Sequence, residues 1–343
     1  MAQLTSFGRF TIVAIIIAAI AGGYIALKNK GIIGGGTKTE QVETSSDANP
    51  ADGTATEKEP ESSGSTEATS ASSGASSFSY EPPAPTNGKL KGVVEMGASG
   101  FNSFIVKADA DKNWKLEKAE FGNSLVTENM ASQEDIRSGL KKYIGTMLDY
   151  GVSPKDIHFV VSSGAAKAEV TQKITKELKS LNYYVNVVTA EEEGTMGLQA
   201  VLPPVYEDRA FVVDIGSGNT KISWKENGKI KSLESYGAKY FQNGVDDQKV
   251  YDEIVAKAKQ VPEGYRKTCF IIGGAPFKLA KEVRNGKERY TVLKAPGDYN
   301  PSEAKDKAGV NIYKAIADAT ECKQFVFDWD ANFTIGFLLS NTK

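Results

Sequence analysis

The sequence is poor in the residues that build histidine or cysteine sites, with one histidine and two cysteines in 343 residues. His158 stands in an apolar run typical of a buried strand, which disfavours a His-based catalytic triad or a His-rich metal centre. Cys269 and Cys322 have no CxxC spacing, so the pattern indicates neither a zinc ribbon nor a disulfide framework. We expect both cysteines to be buried free thiols.

An excess of charge of either sign is also missing. The chain has 41 Lys and Arg residues against 43 Asp and Glu residues, a net charge of -2. A balance of this kind creates no field that would gather nucleic acid or an acidic membrane surface. Nucleic acid is therefore not a predicted partner.

One long hydrophobic run covers residues 10–27, after a short tail of residues 1–9. The run has no charged residue and is close to the shortest length that spans the ~30 Å hydrocarbon core of a bilayer. We predict a single-pass transmembrane helix that acts as a signal anchor. A cleaved signal peptide is the alternative, with Arg9 as its basic region and small residues near Ala21 as the cleavage site.

The positive charges on either side of this run weakly indicate the orientation of the predicted helix in the membrane. Lys28, Lys30 and Lys38 slightly outnumber Arg9 and the amino terminus on the other side. Positive residues favour the cytoplasmic side of a membrane. A cytoplasmic head is therefore favoured, and an extracytoplasmic head stays open.

Residues 28–87 have no large apolar residue between Val42 and Phe78. Serine, threonine, glutamate and alanine dominate this segment, and a proline cluster ends it. Such a composition cannot bury enough apolar surface to offset the loss of chain entropy. We predict a disordered linker that holds a globular head away from the membrane.

From residue 88 onward the pattern changes to alternating strands and helices. The predicted strands lie at residues 90–96, 103–108, 114–121, 157–161, 184–188, 210–214, 220–224 and 229–235, and the predicted helices follow 121, 161, 188 and 245. The order of motifs begins again near residue 206, which indicates an internal duplication of a mixed α/β unit. We place lobe I at residues 88–205 and lobe II, with a C-terminal extension, at 206–343.

The strongest local motif is DIGSGNTK, residues 214–221, which lies between two apolar strands. This position argues against a P-loop or Rossmann turn, because those glycine turns join a strand to a helix. Glycines allow backbone N–H groups to surround an anion, and Asp214 can hold a metal or its water. An ordinary hairpin turn is the alternative, but a similar motif, EMGASGF at residues 95–101, opens the first half.

These motifs resemble the exopolyphosphatase and guanosine pentaphosphate phosphohydrolase (Ppx/GppA) family. Its members carry D-[IL]-G-S-N-S-F, then S-G-x-E-E-A, then D-I-G-G-G-S-T-E, and this chain has EMGASGF, TAEEEG and DIGSGNTK in the same order. VVSSGAAKA at residues 160–168 resembles a further family motif. The resemblance implies an α/β, two-lobed, duplicated actin-like (ribonuclease H-like) fold that follows the transmembrane helix and the disordered tether.

The resemblance also implies a role for each matching residue. Glu193 would be the catalytic carboxylate that orients or deprotonates the attacking water. Asp214 and Glu95 would hold a divalent metal, expected to be Mg²⁺. The implied phosphate-binding residues are Gly97, Ala98, Ser99, Gly100, Gly216, Ser217, Gly218, Asn219, Thr220 and Lys221. Gly273 and Gly274 would lie on the nucleotide side of the ligand.

Three positions depart from the family pattern. Lys221 stands where the second family motif ends in a metal-associated glutamate, and a positive charge there opposes cation binding but can pair directly with a phosphate. Glu95 is one methylene longer than the family aspartate, which shifts a bound metal or water by about 1 Å. Asn102 lies near the position at which the family pattern has a basic residue. Phosphate binding can therefore survive where hydrolysis is lost.

These observations give three functional hypotheses. The first is a membrane-anchored phosphoanhydride phosphohydrolase acting on polyphosphate, guanosine penta- or tetraphosphate, or a nucleoside triphosphate. The second is a catalytically impaired module of the same fold that binds a nucleotide or polyphosphate and signals through the tether. The third is an actin-like filament protein, for which the sequence offers no readable interface. The expected partners are a phosphate-rich small molecule or polyphosphate, and the membrane.

The last hydrophobic segment, residues 324–339, has no counterpart that we can place in the family. It alternates like a pair of strands around Asp330 and Asn332. We predict an added hairpin at the edge of a sheet. A partner surface built from its aromatic residues is the alternative.

Overall fold

A computed structural model describes residues 78–97, 100–121, 133–166 and 168–341. The short N-terminal tail, the predicted transmembrane helix at residues 10–27 and the linker up to residue 77 lie outside the described residues. Within the described ranges, no helix combines the length and the hydrophobicity needed to cross a bilayer. Membrane anchoring therefore stays a prediction.

Strands and helices of the described part alternate much as the sequence predicts. The strands are β1 (Lys89–Gly97), β2 (Gly100–Ala108), β3 (Trp114–Phe121), β4 (Ile157–Val161), β5 (Val185–Val187), β6 (Ala210–Ile215), β7 (Asn219–Glu226), β8 (Lys229–Tyr236), β9 (Thr268–Ile272), β10 (Tyr290–Val292) and β11 (Gln324–Asp328). The helices are α1 (Gln133–Tyr150), α2 (Glu169–Ser180), α3 (Ala190–Val201), α4 (Asp247–Ala258), α5 (Gly274–Lys281), α6 (Ala304–Thr320) and α7 (Phe333–Ser340).

Two sheets with the same construction organise these elements. The sheet of lobe I has the order β3-β2-β1-β4-β5, and that of lobe II has the order β10-β11-β9-β6-β7-β8. In each sheet the first strand pairs antiparallel with the next strand and parallel with a later one, as β1 does with β2 and β4 and as β6 does with β7 and β9. The mixed α/β architecture with a repeated hairpin is therefore confirmed.

Inner strands are buried on both faces, which explains their uninterrupted apolar runs. All residues of β6 and β9 are buried, as expected for parallel strands covered on both sides. In lobe I, Phe159 and Val161 of β4 share a core with Ile174 and Leu178 of α2. Cys269 and Cys322 are buried free thiols, as predicted. These cores fix the strand ends from which polar side chains project.

The C-terminal segment differs from the predicted edge hairpin. β11 lies between β10 and β9, inside the sheet, and residues 333–340 form the helix α7. Asn332 caps this helix by accepting the backbone N–H of Thr334 at 2.8 Å. The helix packs against α3, β1 and β2, and almost all of its residues are buried. The aromatic residues of this segment are thus mainly core, and α7 covers lobe I although the predicted boundary assigned it to lobe II.

The last residues assigned to the linker also pack on the folded part. The Phe78 ring lies 5.5 Å from the ring of Phe270 and 5.3 Å from that of Tyr290, both in lobe II. A few residues later, the Thr86 N–H donates to Asp109 Oδ2 in lobe I at 2.8 Å. Residues 78–87 therefore form a strap that contacts both lobes, and not a free tether.

Candidate functional site

Each lobe places an acidic residue near the end of the first strand of its hairpin, opposite a polar partner. In lobe I, Glu95 of β1 pairs across the ladder with Asn102 of β2. In lobe II, Asp214 of β6 pairs with Lys221 of β7. Directly opposed residues of an antiparallel pair project from the same face of the sheet, so each carboxylate lies beside the side chain of its partner.

The two hairpins face a shared cavity of about 390 Å³. It brings together most of the residues predicted for the site: Glu95, Gly97, Gly100, Glu193, Asp214, Gly216, Ser217, Gly218, Asn219, Lys221, Gly273 and Gly274. Ala98 and Ser99, also predicted for the site, lie outside the described residues. The sequence-predicted loops and the predicted catalytic carboxylate thus line one cleft between the lobes.

Glu193 is almost completely enclosed, with only 3% of its surface exposed. It lies in the first turn of α3, where a capping box between Thr189 and Glu192 fixes the start of the helix. Its Oε2 accepts the Ser163 backbone N–H at 2.9 Å and also the Ser163 hydroxyl. Its Oε1 contacts the Lys221 ammonium. Three donors therefore hold the Glu193 carboxylate in one orientation.

Lys221 has an almost completely buried side chain, 2% exposed, in the middle of a strand. Besides its ion pair with Glu193, its Nζ lies 3.9 Å from Asp214 Oδ2. Burial raises the pKa of Asp214 to about 6, although the nearby Lys221 charge acts in the opposite direction. The lysine is thus the positive centre of a cluster with two carboxylates.

Glu95 lies on the lobe I side of the cavity and is held by two amides. Asn102 Nδ2 and Asn332 Nδ2 donate to Glu95 Oε2 at 2.9 and 3.0 Å. Burial raises the pKa of Glu95 to about 7, and repulsion from Glu193 and Asp214 adds to this rise, while the Asn102 and Asn332 hydrogen bonds oppose it. Near neutral pH this carboxyl group therefore exchanges a proton.

The predicted loop residues Asn219 and Thr220 are occupied by contacts within the protein. Asn219 Nδ2 donates to Ser163 Oγ at 2.9 Å and to Glu234 Oε1 at 2.6 Å. The Thr220 hydroxyl donates to the Tyr236 carbonyl at 2.7 Å, and the residue is fully buried. The predicted role of the Thr220 hydroxyl as an anion ligand is corrected by this geometry, because that hydroxyl is directed into the sheet.

Two glycines have a steric reason for their positions. A Cβ on Gly218 would lie 2.8 Å from the Cα of Gly164, where the second loop approaches lobe I. Gly273 has φ of 108°, and a Cβ there would lie 2.3 Å from the Ile215 carbonyl oxygen. Gly273 directly precedes α5, so the helix N-terminus opens beside the end of β6. Unpaired N–H groups at such a terminus favour an anion.

The carboxylates do not fit the divalent metal that the resemblance implies. Glu193 and Asp214 lie on either side of Lys221, and the ammonium stands where a shared cation would need to be. Glu95 Oε2 already accepts hydrogen bonds from the amides of Asn102 and Asn332, so this oxygen is not available to a metal ion. Among the described residues, no group of three or more His, Cys, Asp or Glu side chains is arranged to hold a metal ion. Mg²⁺ stays a prediction that this arrangement does not support.

Several residues that line the cavity or contact its carboxylates have no role predicted from the sequence. Ser163 belongs to the VVSSGAAKA motif but was given no role, and Asn332 was placed in a hairpin turn. Lys305 of α6 also lines the cavity, and burial lowers its pKa. At the mouth, the rings of Phe121 from lobe I and Phe277 from lobe II lie 6.2 Å apart. The motif around Ser163 and the position of Asn332 before an apolar run carried a signal in the sequence.

Comparison with known proteins agrees with the resemblance. The model of the Ppx/GppA phosphatase family matches residues 113–280. A Ppx/GppA family member from Aquifex aeolicus is 18% identical with a TM-score of 0.55, and covers 74% of this chain and 97% of its own. An exopolyphosphatase from Cytophaga hutchinsonii is 14% identical with a TM-score of 0.58, and the coverages are 74% and 99%. The comparison with curated protein sequences found no match.

Proposed function

We propose, on the premise that this chain is related to the Ppx/GppA phosphatases, that it is a phosphohydrolase that cleaves a terminal phosphoanhydride bond. The observation that carries the proposal is the convergence of Glu193 and two acidic glycine hairpins on one interlobe cavity. The substrate class is a phosphate-rich small molecule or polyphosphate, which includes guanosine penta- or tetraphosphate and nucleoside triphosphates. The rings of Phe121 and Phe277 at the mouth of the cavity do not distinguish between these substrates.

Hydrolysis in this cavity would use positioning and charge. The backbone N–H groups of the glycine loops and the Lys221 ammonium bind the oxygens of the terminal phosphoryl group. Water attacks its phosphorus in line, the bond to the bridging oxygen breaks, and the shortened phosphate chain leaves. Glu193, held by Ser163 and Lys221, accepts the proton of the water. No step is assigned to a metal ion because the residues do not fit one.

A direct test measures phosphate release by the full chain from polyphosphate, guanosine tetraphosphate and ATP, each with and without Mg²⁺. We expect Glu193→Gln to lower kcat by roughly 10²–10⁴-fold, the usual contribution of a general base. The matched control is Glu192→Gln, one residue earlier and exposed, since glutamine also completes a capping box. Equal rates for wild type and Glu193→Gln contradict the proposal.

A second function is favoured by one specific contact, the ion pair between Lys221 and Glu193. A carboxylate that is already paired with an ammonium is a weaker acceptor for the proton of water. The same cavity then serves a module that binds the phosphate chain without cleaving it. In that case the ligands raise the melting temperature of wild type and Glu193→Gln alike, and neither releases phosphate.

The membrane anchor belongs to this proposal as well. The uncharged run at residues 10–27 supports a single-pass protein whose catalytic head faces the cytoplasm, at the end of a spacer. Carbonate extraction of membranes from expressing cells tests the anchor, because an integral protein stays in the pellet. A variant that lacks residues 1–27 is expected in the supernatant, and equal release of both proteins would argue for a cleaved signal peptide instead.

A further inference from the structure

Lys221 is unusual because its charge is enclosed by the protein and yet lines a cavity. The side chain is 2% exposed, and a buried ammonium is stable only when it is paired. Its partners are Glu193, in direct contact, and Asp214, at 3.9 Å. The lysine belongs to an inner strand, β7, which pairs with β6 and β8. The charge is therefore held at a fixed point between two carboxylates.

The charges around this cavity create a problem for a phosphate ligand. Among the described residues, four carboxylates line this cavity, and one of them, Asp328, is paired with Arg289. This leaves Glu95, Glu193 and Asp214 around the space that the anion must enter. Like charges at such distances repel strongly when little water lies between them. An anion can bind there only if a cation compensates the carboxylates. In many phosphate sites a divalent metal has that role, and its place here is taken by a side chain.

We propose that the Lys221 ammonium is the built-in cation of this site, so that the cavity binds phosphate chains without a divalent metal. An ammonium has three N–H donors, and one of them is used in the contact with Glu193. The distance to Asp214 Oδ2, 3.9 Å, is too long for a hydrogen bond. Lys221 lines the cavity together with Gly216 and Gly218, so a phosphate oxygen bound there can accept the donors that remain.

The inference rests on the proposed phosphate site, but it goes beyond it in one respect. A metal ion is exchangeable, whereas Lys221 is covalently attached and present in every molecule. Chelators should therefore leave ligand binding intact. A carboxylate at position 221 would reverse the situation, because it would complete a set with Glu193 and Asp214 that resembles the oxygen cluster divalent ions prefer.

The test measures binding of inorganic tripolyphosphate to the full chain by calorimetry, in EDTA and in Mn²⁺, and Mn²⁺ binding to ligand-free protein by electron paramagnetic resonance. We expect wild type to bind tripolyphosphate in EDTA and to retain no Mn²⁺. Lys221→Met should weaken binding in EDTA by an order of magnitude or more, roughly the value of a charge-assisted contact. Lys221→Glu should bind Mn²⁺, and its tripolyphosphate binding should require the ion.

The outcomes separate this inference from the proposed hydrolysis. If wild type binds tripolyphosphate only with Mn²⁺, or in neither buffer, the inference fails whether or not phosphate is released. If wild type binds in EDTA but releases no phosphate from any substrate, the built-in cation stands and the hydrolase proposal fails. Lys221→Arg keeps the positive charge and shows whether the protein folds with another side chain at position 221. If Lys221→Met does not fold, the binding of tripolyphosphate by wild type in EDTA still tests the inference.

Discussion

The hairpins of the two lobes have the same backbone plan but opposite ways of accommodating a buried acid. Glu95 faces an amide, Asn102, and burial raises its pKa to about 7. Asp214 faces an ammonium, Lys221, and burial raises the pKa of Asp214 to about 6, while the Lys221 charge opposes this effect of burial. One cross-strand position therefore decides whether an acid at the cavity lies beside an amide or beside a fixed cation.

The difference shows how a duplicated fold can separate two tasks. Because the backbone register is the same, the change lies in the side chain opposite the acid. Glu95 of the lobe I hairpin exchanges a proton near pH 7, whereas the lobe II hairpin places an ammonium beside Glu193. Binding of an anion is thus expected to depend on Lys221 in lobe II, and the change of stability around pH 7 on Glu95 in lobe I. Substitutions at the equivalent positions test this division.

The largest effect is expected when the partners of the two acids are removed. Lys221→Met should lower the free energy of unfolding by about 3–5 kcal/mol, because it leaves Glu193 and Asp214 buried without their cation. Asn102→Ala should cost about 1 kcal/mol, the value of one hydrogen bond, since Glu95 can take up a proton. Urea denaturation at pH 7 measures both values. Equal losses would contradict the comparison, and adding Glu193→Gln to Lys221→Met should restore part of the stability.

The next effect is a pH dependence that belongs to Glu95. Its pKa is about 7 in the folded protein against the ordinary value of 4.5, so the folded state holds the proton more tightly. The stability that this provides is complete below about pH 4.5 and is lost as the pH rises through 7. Glu95→Gln, whose amide oxygen can still accept both asparagines, should therefore stabilise the protein at pH 8 by up to about 3 kcal/mol.

Melting temperatures at pH 5 and pH 8 give the measurement. The gain from Glu95→Gln should be small at pH 5 and large at pH 8. Glu191→Gln is the control. It removes the same charge from an exposed position on α3, where the carboxyl group is not buried. A gain from Glu95→Gln that does not change with pH would show that the carboxyl group is ionised throughout.

The smallest effect concerns Asn332, which joins the start of α7 to Glu95. Asn332→Ala removes both the helix cap and one amide donor, and we expect it to cost roughly 1–2 kcal/mol. Asn332→Ser keeps a capping oxygen but loses the amide, so it should cost only about 1 kcal/mol and less at pH 5 than at pH 8. Chemical denaturation of both variants separates the cap from the contact with Glu95.

The sequence predicted the paired hairpins well because their signal is local. The predicted strands 90–96, 210–214 and 220–224 lie within β1, β6 and β7, and Gly216 and Gly218 lie between β6 and β7, where the motif placed them. The prediction for residues 324–339 was half wrong, because α7 is apolar on all sides and has neither a two-residue nor a 3.6-residue period. Asn332 before this run was an N-cap signal that the strand interpretation overlooked.

The contents of the site could be predicted only in part. Glu193 and the glycine loops follow from motifs whose spacing is visible in one dimension. The pairing of Lys221 with Glu193 joins residues from different lobes, and no repeating pattern of apolar and polar residues in the sequence indicates it. The same holds for Asn332, which reaches Glu95 from the far end of the chain. Contacts of this kind depend on how the sheets meet, and a linear pattern does not determine that.

The position of α7 has a consequence for the synthesis of the protein. Asn332 lies 237 residues after Glu95, and the helix that follows it covers β1 and α3. When lobe I leaves the ribosome, its sheet therefore lacks part of its cover, and the missing piece is made only after all of lobe II. Domains are generally completed in the order of synthesis. In this chain the first lobe to emerge is the last to be finished.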